Sequence, residues 1–207
     1  MKFLRLSLLF IYLFSYCAYS QHKLNTSKYK PIEQAEILAS EKFKSYCEDC
    51  AVDGSIAIYH LENKKWMISD TVGIHLETLP ASTFKIINLL IALETNTIKS
   101  EQDIVKWVGE TDTIKYGYRP DIYHDMSVSE AFESSAGWVF VELAKKIGKD
   151  KYKEYLSKCH YGNNNLSQED ADFWNFGDFA ISPKNQVEFL TALYEEKLRS
   201  QVEICIS

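Results

Sequence analysis

The apolar and polar positions divide the chain into a short leader, a strand-forming stretch and a longer run of helices. Lys2 and Arg5 precede an apolar run at residues 8–14, and small residues close it at Ala18-Tyr19-Ser20. Basic, apolar and small-residue segments in that order are the layout of a secretory signal peptide, and the run is short for a membrane span. Cleavage is expected after Ser20, which makes residues 1–20 the leader and residues 21–207 one domain. Cys17 leaves lipid attachment as an alternative, although Ser15-Tyr16 before it fits such a site poorly. Residues 23–30 are a polar lead-in, and residues 32–43 show helical spacing. Gly54 opens a β-rich run at residues 55–61, Glu62-Asn63-Lys64 is turn chemistry, and residues 65–68 return, which predicts a hairpin.

From Pro80 onward the pattern is helical. Residues 82–94 carry Phe84, Ile86, Ile87, Leu89, Leu90, Ile91 and Leu93, apolar on nearly every side, as in a buried helix. Ser127-Val128-Ser129-Glu130 reads as a capping box. A helix over residues 138–147 stops at Gly148, another follows at residues 150–159, and residues 161–165 form a loop. Ser182-Pro183, an N-cap with proline at the first helical position, opens a helix bearing Val187, Phe189, Leu190 and Leu193. Two strands followed by helices make an α+β pattern. Two strands alone are marginal, so the antiparallel sheet is expected to be incomplete within this chain.

Charge narrows the partners. Residues 1–20 contain Lys2 and Arg5 and no acid, so without them the formal net charge moves from −6 to −8. That disfavours a nucleic-acid groove or an anionic membrane surface, and no membrane span is expected once the leader is removed. The remaining cysteines are Cys47, Cys50, Cys159 and Cys205. Cys47-Glu48-Asp49-Cys50 lacks the βαβ setting of a redox motif and a second pair for zinc. A structural disulfide or two incidental thiols are the readings left open. His22, His60, His75, His124 and His160 show no ligand spacing, so no metal is assigned.

The candidate chemistry lies in Ser82-Thr83-Phe84-Lys85. Serine and lysine three apart on a helix share a face. A serine hydroxyl needs an adjacent base, and a lysine serves only when neutral, a state that burial among apolar side chains favours. Ser82 at the helix N-terminus also feels the positive end of the dipole. The pattern alone is weak, since Ser27-Lys28-Tyr29-Lys30 satisfies it in a polar segment where the lysine stays charged. Ser82 capping a core helix while Lys85 reaches for solvent is the bland alternative.

Several segments in order change that balance. Pro80-Ala81-Ser82-Thr83-Phe84-Lys85-Ile86, Lys106-Trp107-Val108-Gly109, Ser135-Ala136-Gly137, Tyr161-Gly162-Asn163, Phe173-Trp174 with Gly177 and Ile181-Ser182, and Gln186-Val187-Glu188-Phe189-Leu190 together resemble the class D (oxacillinase-type) serine β-lactamases over residues 43–198. The serine–lysine pair is the shared mark of penicillin-recognising serine enzymes. The resemblance implies the β-lactamase/penicillin-binding-protein transpeptidase fold, a periplasmic location and a β-lactam small-molecule substrate. It implies that Ser82 is acylated and that Lys85, carrying carbon dioxide as a carbamate, is the base, with no other cofactor. Ser135 would relay a proton to the lactam nitrogen, and Trp174 would hold the carbamate through its indole N–H. Tyr161, Gly162 and Asn163 would shape a wall of the site, and the Ser82 N–H would supply half of the oxyanion hole. Taken alone, Trp174 reads as a packing aromatic and Tyr161-Gly162-Asn163 as a turn.

Two departures from the family pattern set further expectations. The third position of its S-x-V motif is Gly137, which leaves a gap unless Trp138 or another side chain covers it. A wetter site raises the lysine pKa, so weaker turnover or a greater bicarbonate requirement is expected. The family's K-[T/S]-G strand does not occur after Trp174, and residues 198–203 stop resembling the family, so a premature end or frame change is expected. The alternatives to a working hydrolase are a penicillin-binding or sensor-type domain that acylates without turnover, and an inactive truncated product.

Overall fold

The structure, a computed structural model, describes residues 36–39 and 41–195. The leader, the lead-in at residues 23–30 and Cys205 lie outside the described residues. Strands β1 (Glu36–Ala39), β2 (Ala57–His60) and β3 (Lys65–Ile68) form a sheet in the order β1-β3-β2. β2 and β3 are the expected antiparallel hairpin, with Ala57 opposite Ile68 and His60 opposite Lys65. β1 corrects the helical reading of residues 32–43. Glu36–Ala39 pairs in parallel with Lys65–Ile68, and helix α1 (Glu41–Asp49) follows it. Four residues are too few to separate a period of 3.6 from one of 2, and the free edge of β3 satisfies the backbone of whatever lies along it.

The helical part begins with a 3-10 turn at Ala81–Thr83 that runs into α2 (Phe84–Glu94). Then come β4 (Ile104–Val105), α3 (Thr113–Tyr116), a 3-10 turn at Pro120–Ile122, β5 (Met126–Ser127) and α4 (Val128–Glu133). α5 (Gly137–Ile147), α6 (Lys149–Lys158), α7 (Phe173–Phe176) and α8 (Pro183–Tyr194) complete the order. β4 and β5 make a second, antiparallel pair. The caps are largely those expected. Ser182 accepts from the Asn185 N–H at 3.2 Å, and Gly148 ends α5 at φ +81. The capping box is only half made: Ser127 accepts from the Glu130 N–H at 3.1 Å, while the Glu130 carboxylate meets His124 Nε2 at 2.9 Å.

The main core is helical. α2 lies across α5 and buries Phe84, Ile87, Leu89, Ile91 and Ala92. Phe84 is the hub. Its ring centroid lies 4.9 Å from Trp174 in a stacked pair, and 5.3 to 6.1 Å from Phe173, Phe179, Tyr152 and Tyr161. A smaller cluster of Trp66, Ile68 and Ile74 lies under the sheet, where Val187 of α8 packs against it. A two-way backbone bridge between Thr78 and Ile181 ties the segment before the 3-10 turn to the entry of α8. Cys47 and Cys50 are free thiols. No helix among the described residues is long and apolar enough to cross a membrane.

Candidate active site

Ser82 sits exposed in the Ala81–Thr83 turn, with the aromatic hub directly behind it. Ala81 adopts φ +47, a left-handed conformation that costs a residue with a Cβ on the order of 1 kcal/mol. Pro80 O holds the turn, accepting the Thr83 N–H at 3.1 Å and the Thr83 hydroxyl at 2.6 Å.

Lys85, in the first turn of α2, is 6% exposed. It makes no ion pair among the described residues; its Nζ meets Ser135 Oγ in a hydrogen bond and lies 5.3 Å from the Phe140 ring centroid. Burial, and secondarily the positive charge of Arg119, push its amine below the ordinary lysine range. The bland alternative, a lysine reaching for solvent, is therefore wrong for this side chain. Asn88, one turn on and also buried, donates to Phe140 O at 3.3 Å and ties α2 to α5.

Ser135 reaches Lys85 because of how α4 ends. The Ala136 N–H bonds Ala131 O at 2.9 Å and the Ser135 N–H bonds Phe132 O at 3.4 Å, with Ser135 at φ +58. These are the two reversed bonds of a Schellman helix end, whose left-handed position glycine usually fills. A serine there carries backbone strain and places a hydroxyl on the amine of Lys85.

Trp174 of α7 is 1% exposed, stacks on Phe84 and lines the same cleft as Ser82, Lys85 and Ser135. Its indole N–H makes no hydrogen bond to the described residues. The cleft has a volume of about 830 Å³. Its walls carry both signs of charge, with Lys115, Arg119 and Lys145 facing Glu110, Asp112 and Asp170.

The expected wall residues stand elsewhere. Tyr161, Gly162 and Asn163 are not among the cleft's lining residues. Tyr161 is buried against Phe84, Phe179 and Phe189, and its hydroxyl donates to Gln186 Oε1 at 2.7 Å. Thr83 Oγ1 reaches that same oxygen at 3.5 Å, so the three residues brace the Ala81–Thr83 turn. Gly162 is at φ +67, and a Cβ there would come 2.7 Å from both Ala180 O and the Phe179 ring, so only glycine fits. Asn163 bonds the backbone of Asp178 and Ala180.

The gap expected at Gly137 is open, since a Cβ built there meets nothing within 4 Å. Trp138 does not cover it. Its indole N–H donates to Ile122 O at 2.7 Å and its ring packs edge-on against Trp107 at 5.0 Å. The sequence reading missed Arg119, and it missed Lys115 and Tyr116, whose contacts reach residues 170–176. None belongs to a motif, and only the placement of their loop beside α7 identifies them.

The family model described as the penicillin binding protein transpeptidase domain matches residues 32–205. Pseudomonas aeruginosa β-lactamase OXA-10 is 39% identical over 153 residues, which are 74% of this chain and 56% of that protein. The regulatory protein BlaR1 of Bacillus licheniformis is 30% identical over 157 residues, 76% of this chain and 25% of that one. Among solved structures, a class D β-lactamase from Sebaldella termitidis superposes with a TM-score of 0.72 at 36% identity, covering 79% of this chain and 64% of that one. The chain thus spans about half the length of the curated β-lactamases it matches.

Proposed function

The chain belongs to the penicillin-binding protein transpeptidase-domain family, among its class D β-lactamases, and we propose on that footing that it hydrolyses penicillin-type β-lactams through an acyl-enzyme on Ser82. The observation that carries this reading is Lys85: buried, without an ion pair among the described residues, hydrogen-bonded to Ser135 and one turn from an exposed serine. Ser82 Oγ attacks the lactam carbonyl carbon as its proton passes to the Lys85 side chain. The Ser82 N–H, in the first turn of the helix, faces the charge that develops on the carbonyl oxygen. The lactam C–N bond breaks, and Ser135, bonded to Lys85, passes a proton to the departing nitrogen. Water then attacks the ester carbon, Lys85 takes its proton and returns it to Ser82 Oγ as the acyl C–O bond breaks, and the free serine is restored.

The site suits a carbamate on Lys85. Its amine is biased to the neutral form that carbon dioxide requires, and Trp174, whose N–H has no acceptor among the described residues, lines the same cleft. Ser135 and Trp174 are the donors that would hold the group. Bound there, it supplies a carboxylate base in place of the amine. Export to the periplasm through residues 1–20 is part of the same proposal.

A second reading, acylation without turnover, is favoured by the likeness to a regulatory protein and by the open space at Gly137, which lines the same cleft as Lys85. Intact-protein mass spectrometry after mixing with a penicillin and bicarbonate separates the two. A mass adduct that forms and decays, and is absent in Ser82→Ala, supports the hydrolase. A persistent adduct supports the second reading, and no adduct refutes both.

A further inference from the structure

The short helix α3 lines the cleft through Lys115 and Tyr116, and its side chains fasten it to α7 and the residues just before it. It has four residues, its own Ile114 is almost fully exposed, and Gly117 turns the chain away at φ +77. A helix that short does not hold itself in place. Four contacts to residues 170–176 hold it instead. Lys115 Nζ pairs with Asp170 at 2.9 Å and lies 4.3 Å from the Phe176 ring centroid. The Tyr116 ring packs edge-on against Phe176 at 5.6 Å. The Tyr116 hydroxyl donates to Asp172 Oδ2 at 2.8 Å.

Asp172 is the telling partner. It is 0% exposed, it is the residue from which α7 starts, and Trp174 lies two residues on. Its other oxygen accepts from Asn175 Nδ2 at 2.8 Å. A buried carboxylate is tolerated when its oxygens are hydrogen-bonded, and here one of the two depends on a residue 56 positions earlier. α7, like α3, has four residues and takes its position from its anchors. On the core side the anchors are the stack of Trp174 on Phe84 and the edge-on packing of Phe173 against Tyr152. On the cleft side the anchor is Asp172.

We propose that Tyr116 is a positioning residue: through its hydrogen bond to the buried Asp172 it fixes α7, and with it the cleft-facing indole of Trp174, while α3 closes that end of the cleft. The inference rests on the reading above for what Trp174 does, and on the geometry alone for what Tyr116 does to it. Removing the hydroxyl leaves a buried oxygen of Asp172 without its donor, a state relieved by α7 moving toward water.

The test uses Tyr116→Phe, which keeps the ring packing, and Asp172→Asn, whose amide oxygen still accepts the Tyr116 hydroxyl. Asp172→Leu serves as a second loosening variant that leaves no orphaned carboxylate, and it carries the test if Tyr116→Phe melts below the assay temperature. Acrylamide quenching of tryptophan fluorescence is measured for each full-length protein and for its Trp174→Phe partner, so that the difference isolates Trp174. Quenching of that component should rise at least twofold in Tyr116→Phe and Asp172→Leu and stay at the wild-type value in Asp172→Asn. The bicarbonate concentration for half-maximal penicillin turnover should rise several-fold in the first two, with KM within twofold of wild type. Unchanged Trp174 quenching in a folded Tyr116→Phe overturns the inference. Raised quenching in a protein family that never turns over a penicillin leaves the inference standing and removes the hydrolase reading instead.

Discussion

Gly137→Val is the sharpest perturbation of the proposed chemistry, because the structure gives room for the side chain in the cleft that Lys85 also lines. A Cβ at Gly137 meets nothing within 4 Å, and the residue is not in the left-handed region, so valine fits without backbone strain. Replacing glycine in a helix recovers a few tenths of a kcal/mol of intrinsic preference. Partial burial of the added carbons, at about 0.8 kcal/mol for each fully buried methylene, brings the expected stabilisation to about 1 kcal/mol. The larger effect falls on Lys85. Its amine is already pushed down first by burial and then by Arg119, and a side chain that displaces water from the cleft deepens the first cause. Each further pKa unit corresponds to about 1.4 kcal/mol and makes the neutral amine about tenfold more abundant at pH 7. A deeper depression should therefore lower the bicarbonate concentration for half-maximal turnover, as measured by initial rates of penicillin hydrolysis against bicarbonate. A folded Gly137→Val with an unchanged or larger bicarbonate requirement refutes the link between that space and the state of Lys85.

Two further outcomes follow from the buried groups. Phe84→Ala removes a fully buried ring from among five other aromatic rings that cannot collapse into the space, so urea unfolding should show a loss of about 3–5 kcal/mol, and a loss below about 2 kcal/mol would mean that the hub repacks. Asp172 is raised above its ordinary value of 3.8 by burial, with the hydrogen bonds from Tyr116 and Asn175 opposing that rise. A raised folded-state pKa contributes stability that is fully present below 3.8 and is lost as pH rises through the folded value. Asp172→Asn should therefore melt at or above wild type at pH 7, with the difference shrinking as the pH is lowered toward 4; a difference that widens on acidification contradicts the argument.

The parts of the site legible in the sequence are those in which one local pattern dictates both position and state. The apolar surround of Lys85 within residues 82–94 foretold a buried amine, since a helix apolar on every side leaves a lysine nowhere wet to go, and the structure buries it at 6% exposure. Ser182, Pro183 and Gly148 announced helix ends through their own backbone and side-chain chemistry, and they stand where that chemistry put them. Ser135 was legible through its motif, but its physical reason was not. The left-handed helix end that delivers its hydroxyl to Lys85 arises from bonds to Phe132 and Ala131, and nothing in Ser-Ser-Ala-Gly distinguishes that turn from an ordinary one.

What the pattern could not supply is pairing at a distance. β1 is a strand because β3 presents a free parallel edge to it, a fact about residues 65–68 that no periodicity within residues 32–43 contains. Tyr161 looks like a wall residue when motifs are read as a surface. In the fold its ring is committed to the hub around Phe84, and its influence on Ser82 passes through Gln186 and Thr83. The Tyr116–Asp172 bond is the extreme case. Each residue alone reads as an unremarkable polar loop position, and only their approach converts one into a buried carboxylate and the other into its donor. A family motif records the groups that meet the substrate. The groups that keep those in place are free to differ from chain to chain so long as some hydrogen bond closes the same gap. For that reason the supports of Trp174 had to be read from the fold, and they are the positions at which this chain's chemistry can be tuned without altering Ser82 or Lys85.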